Sequence, residues 1–133
     1  MWEFLKTYLV TFVVFLILEA FWLAIIAKNL YAKELGYIMS PKPNLIATIA
    51  FFVIFILGFT FFVINPSIEK NMWTYALFAG ILLGVLSYST YALTNLATIR
   101  DWPVKIALID ILWGASLGGL GSTATFFALK LFI

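Results

Sequence analysis

Apolar residues run almost without interruption through four stretches of the chain, about residues 5–27, 45–64, 72–96 and 104–133, and polar residues gather between them. About 20 apolar residues suffice to cross a hydrocarbon core of roughly 30 Å as a helix, so each stretch predicts a transmembrane span. All four are expected to be helical, because a segment in lipid must satisfy its own backbone hydrogen bonds. The runs are too long for barrel strands and do not alternate as such strands do. The expected fold is therefore an all-α integral membrane protein: a single domain over residues 1–133, built as a four-transmembrane-helix bundle with both termini on the same side.

The connections carry recognisable stop and start signals. In Ser40-Pro41-Lys42-Pro43-Asn44, the asparagine is placed to cap the second span. Asn65-Pro66-Ser67 predicts a tight turn, with Ser67 as a cap for the third span. Asp101-Trp102-Pro103 ends the third unit, because a residue before proline avoids the helical region. The first helix is expected to continue through Lys28–Leu35 and stop at Gly36, with Leu30, Tyr31 and Leu35 lying along the membrane surface. The length of the first run, and Glu19 inside it, favour a retained helix over a cleaved signal peptide.

Composition agrees with a bilayer as the solvent. The chain is 65% hydrophobic and 11% charged, with a mean hydropathy of +1.11, whereas a soluble domain carries about a quarter charged residues. A net charge of +2 without a basic run is too small to suggest a nucleic-acid binder, and no nucleic-acid partner is expected. Cysteine and histidine are absent, which removes disulfides, thiol nucleophiles, the usual metal and haem ligands and the commonest general base. No metal or cofactor is expected. The lipid bilayer is the expected surrounding, and a bacterial or archaeal plasma membrane the expected location.

The cations suggest an orientation. Lys28, Lys33, Lys42, Arg100 and Lys105 flank one side, and Lys6, Lys70 and Lys130 the other. This excess favours the first and third connections in the cytoplasm and the termini outside. Tyr31, Tyr37 and Trp102 would form one interfacial aromatic belt, and Trp2, Tyr8, Trp73 and Tyr75 the other.

Two acids interrupt the grease: Glu19 in the first run and Asp110 in the fourth, each followed three positions later by a tryptophan, Trp22 and Trp113. Three residues is close to one turn, so acid and indole share a helix face. Glu19 lies roughly 12 Å before the end of its run and Asp110 roughly 8–10 Å after the start of its own, at the helical rise. The two acids thus fall at similar depth in one half of the bilayer. Ser87, Thr90, Tyr91, Thr94, Asn95 and Thr98 make a polar stripe on the last turns of the third run, in the same half. A charge near mid-bilayer is costly, so such acids pair, protonate or serve a site. Hydroxyl and amide side chains also serve simply to hold helices together. Gly114, Gly118 and Ser122 follow Asp110 at four-residue spacing; such small residues let helices approach closely, within the bundle or in a homodimer.

The combination of Thr90–Pro103 with Asp110-Ile111-Leu112-Trp113-Gly114 resembles a family of small predicted membrane proteins known as domain of unknown function 2177. The resemblance rests on Glu19 and Trp22, on Leu93–Thr98, on Trp102 and Pro103, and on Asp110, Trp113 and Gly114, with support from Leu30–Gly36 and Pro41–Asn44. It covers nearly the whole chain. The helix-one acid of the family is usually aspartate, and here it is glutamate; Ala92 stands where the family often has aspartate. The resemblance implies the fold and the site residues, and no activity.

The candidate pocket comprises Glu19, Trp22, Tyr88, Tyr91, Asn95, Arg100, Asp101, Trp102, Asp110 and Trp113. Three functions compete for it. The leading one is binding or transport of a small cationic or amphipathic molecule, with acids as proton carriers and tryptophans as cation-facing surfaces. The alternatives are a membrane-embedded enzyme on a lipid or isoprenoid substrate, with the carboxyls as acid and base and Arg100 on a phosphate, and an accessory or structural subunit.

Overall fold

The computed structural model describes residues 1–40 and 42–131. Pro41 and the last two residues of the fourth run lie outside them. Four helices are long and apolar enough to cross a membrane: α1 (Trp2–Leu35), α2 (Leu45–Lys70), α3 (Trp73–Thr98) and α4 (Val104–Lys130). No strand occurs among the described residues. The helices alternate in direction through short connections, which leaves both ends of the chain at one end of the bundle. Large apolar side chains such as Ile46, Leu108 and Leu112 are exposed along the outer faces, the pattern of helices whose surroundings are lipid.

Two of the expected boundaries move. Asn65-Pro66-Ser67 is not a turn: it lies inside α2, which continues to Lys70. The helix widens to π geometry over Thr60–Ile64 just before the proline, and the Asn65 N–H reaches back five residues to the Thr60 carbonyl. Proline has no N–H for the carbonyl four residues earlier, which is that of Phe62. The Tyr75 hydroxyl donates to that carbonyl at 3.3 Å, from the neighbouring helix. The proline is thus accommodated by a local register change and a borrowed donor. The true turn is at Asn71, in the left-handed conformation with φ 53°, with Met72 N–H returning to the Ser67 carbonyl. Ser67 does not cap α3; it is buried and donates to the Ile64 carbonyl at 2.7 Å.

α1 likewise contains a π segment, Trp22–Ala27, and runs on to Leu35. Gly36 follows directly but stays right-handed, φ −54°. Asn44 caps α2 as expected, its side chain accepting from Ala47 N–H at 3.1 Å. α3 ends at Thr98, and Ile99–Pro103 turns the chain into α4, with Asp101 at φ 62°.

α4 is the most buried span. Its stripe of Gly114, Gly118 and Ser122 packs on Gly80 and Gly84 of α3. A Cβ on Gly84 would overlap the Gly114 carbonyl, and one on Gly118 the Gly80 carbonyl. The stripe therefore packs inside the chain, against α3. Phe15 of α1, Phe55, Ile56 and Phe59 of α2, and Leu117 of α4 form the central core. A second core of Leu35, Ala92, Trp102, Ile106 and Ala107 fills the end near the α3–α4 turn.

Candidate functional site

α1, α3 and α4 meet between these two cores. Glu19, half-buried, accepts from Trp113 Nε1–H on Oε1 at 3.1 Å and from the Tyr88 hydroxyl on Oε2 at 3.3 Å. Trp113 lies flat against Trp22, with ring centroids 4.5 Å apart and planes 7° from parallel. Asp110, buried one turn before Trp113, accepts from the Tyr31 hydroxyl on Oδ1. The Tyr31 ring meets Trp22 edge to face at 6.5 Å. Both acids therefore belong to one cluster, bridged by the two stacked indoles.

Local sequence explains each placement. Glu19 and Trp22 share a face because they are three residues apart, and Asp110 and Trp113 repeat the arrangement on α4. Gly114 makes room for Tyr88: a Cβ there would lie 2.6 Å from Tyr88 Cγ. Trp102, 7% exposed, closes the end of the cluster and meets Tyr91 edge to face at 6.1 Å. Its indole N–H has no hydrogen-bond partner among the described residues.

The other candidates fall differently. Arg100 and Asp101 are exposed in the turn, and Arg100 forms no ion pair with either acid; the Asp101 carbonyl accepts from the Tyr37 hydroxyl at 2.8 Å. Asn95 is half-buried on α3, and its carbonyl takes the Ile99 N–H at 2.8 Å. Three hydroxyls of the α3 stripe bond within their own helix rather than to the acids. Ser87, Thr90 and Thr98 donate to Leu83, Leu86 and Thr94 carbonyls of their own helix. Lys105 does not reach Asp110; it pairs with Glu34 at 3.7 Å, the one ion pair among the described residues.

Leu30, Tyr31 and Leu35, expected along the membrane surface, all pack inward: Leu35 is a buried member of the second core, and Leu30 and Tyr31 lie against it. Tyr31 is half-buried, held to Asp110 through its hydroxyl. The π segment before it shifts the helix phase by about one residue, roughly 100°, and turns it inward. Phe51 on α2 was not singled out either. With Ser87, Tyr88 and Tyr91 it lines a recess of about 270 Å³ beside the cluster.

Chemically, the cluster offers two carboxyl groups held by neutral donors, with aromatic faces around them. Carboxyl oxygens have room for further hydrogen bonds, and aromatic faces attract cations.

No curated protein and no solved structure matches the chain. A family match covers residues 4–127, nearly the whole bundle and every residue of the cluster. The chain belongs to the family described as predicted membrane protein (DUF2177).

Proposed function

We propose that the protein binds a small cationic or amphipathic molecule at the Glu19–Asp110 cluster, as a carrier or receptor within the membrane. The observation that carries this reading is the set of partners around Glu19. Its two oxygens face an indole N–H and a phenol, and Asp110 faces a phenol. Neither acid has a cationic partner among the described residues. Acids inside an apolar bundle are costly unless paired, and a bound cation would supply the counter-charge that the described residues do not. The stacked Trp22–Trp113 pair and Tyr91 add aromatic surface suited to an ammonium group.

Native mass spectrometry of the gently solubilised protein tests this. A small adduct retained by the wild type and lost in both Glu19→Gln and Asp110→Asn supports the reading and gives the ligand mass. Retention of the same adduct in both variants would remove the acids from the site. Loss of a protein partner in both variants, with no small adduct in the wild type, would favour an accessory subunit.

A further inference from the structure

α2 does not lie evenly against its neighbours. It packs on α1 through Phe12 and Phe52, 5.0 Å between centroids, and through Phe15 and Phe59 at 4.9 Å. Toward the end that holds the acid cluster, Leu45–Phe51 is exposed residue after residue. The gap that results between α2 and α3 contains two recesses. One, of about 270 Å³, is bounded by Phe51, Ser87, Tyr88 and Tyr91. The other, of about 250 Å³, shares Phe51 and Ser87 with it and continues past Ile54, Gly58 and Leu83. Together they form one groove, open sideways, that follows α2 for roughly 10 Å at the helical rise.

Gly58 sets the groove apart from ordinary helix packing. Every glycine of α3 and α4 is pressed against a neighbour, so that a Cβ would fall within 3 Å of another atom. At Gly58 a Cβ would meet nothing within 4 Å. Glycine is among the poorest residues for a helix interior, and this one admits no close helix approach. What it does is leave the groove wall without a side chain.

The two ends of the groove differ in chemistry. The Gly58 end is walled by aliphatic and phenyl groups. The other end is closed by Tyr88, whose hydroxyl donates to Glu19. A group hydrogen-bonded to that hydroxyl would lie roughly 6 Å or less from the carboxyl, within the range over which opposite charges stabilise one another. No lysine or arginine lines either recess. A phosphate or sulfate head would therefore face a carboxyl with no cation beside it, whereas an ammonium head would be complementary.

We propose that the α2–α3 gap is a lateral entry groove for a single-chain cationic amphiphile, an alkyl tail bearing an ammonium head, which reaches the acid cluster from within the bilayer. The tail lies along Phe51, Ile54, Gly58 and Leu83, and the head stops at Tyr88. This rests on the reading that the cluster takes a cation, and it adds the class of molecule and its route.

The test uses the full chain in phosphatidylcholine nanodiscs, with quenching of its tryptophan fluorescence by bromododecylammonium, corrected for empty discs. The variants are Gly58→Leu and Leu83→Phe, which fill the groove from opposite walls without adding a tryptophan, and Glu19→Gln. Circular dichroism and thermal unfolding verify that each is folded. The expected result is saturable quenching in the wild type, with half-saturation at least tenfold higher in the folded groove variants and in Glu19→Gln. Butylammonium should compete only at about a hundredfold higher concentration. Butylammonium competing as well as the long chain, or unchanged binding in both groove variants, would overturn the groove and leave the cation site standing. Equal quenching by bromododecyl sulfate, or no effect of Glu19→Gln, would overturn the cation site and the groove with it. A two-chain species in which the groove is closed to the probe would also overturn the proposal, by making a second copy the occupant.

Discussion

Trp22 and Trp113 lie face to face, 4.5 Å between ring centroids, while Trp113 turns its N–H onto Glu19. The same residue thus packs against α1 with its face and satisfies an acid of α1 with its edge. Trp113→Phe and Trp22→Phe each replace an indole by a phenyl ring, and only Trp113→Phe also removes the donor to Glu19. Reversible unfolding in detergent should show Trp113→Phe to be the costlier by about 0.5–1.5 kcal/mol, the usual net worth of one hydrogen bond. Both variants should lose the exciton couplet of the stacked indoles in circular dichroism. Equal costs would mean that the hydrogen bond to Glu19 contributes nothing to stability.

Tyr31 and Asp110 form the second link between α1 and α4. A double-mutant cycle with Tyr31→Phe and Asp110→Leu should return a coupling of about 0.5–3 kcal/mol, as directly paired residues do. Additive effects would sink the pairing.

The glycines make opposite predictions at positions that look alike in sequence. Gly84→Ala places a methyl group into the Gly114 carbonyl and should destabilise the bundle by about 1–3 kcal/mol, as overpacking does. Gly58→Ala meets open space and should stabilise it by about 0.4–1 kcal/mol through the helix backbone. Unfolding midpoints of the two variants should move in opposite directions.

The cation excess around the first and third connections predicts that they face the cytoplasm. The natural chain has no cysteine, so single cysteines report cleanly. A cysteine at Lys42 or Arg100 should react with a membrane-impermeant maleimide only from the cytoplasmic side, and one at Asn71 only from outside. The reverse pattern would invert the topology.

The spans were legible because twenty or so apolar residues have few other solutions. The pairing of Glu19 with Trp22 and of Asp110 with Trp113 was legible for the same kind of reason, a spacing that any helix converts into a shared face. What was not legible depended on departures from regular helix geometry. The π turn at Trp22–Ala27 rephased Tyr31 from the surface into the cluster, and the one at Thr60–Ile64 carried Pro66 through what reads as a turn. The partner of the Gly114–Gly118 stripe did have a signal: Gly80 and Gly84 repeat its spacing in the third run. Arg100 and Asp101 are near Asp110 along the chain, but both are exposed in the Ile99–Pro103 turn. Sequence neighbourhood was a poor guide there because a short turn reverses direction over a few residues.

The close seating of α3 on α4 bears on how the chain is assembled. The two helices are joined by a short turn, so bringing them together costs little loop entropy. Both donors to Glu19 lie on that hairpin, Tyr88 on one arm and Trp113 on the other. The carboxyl of α1 is thus satisfied by a surface that exists only once the later half of the chain has closed. Until then α1 carries an unsolved acid through the bilayer, and docking of α1 reads out whether the hairpin behind it was built correctly.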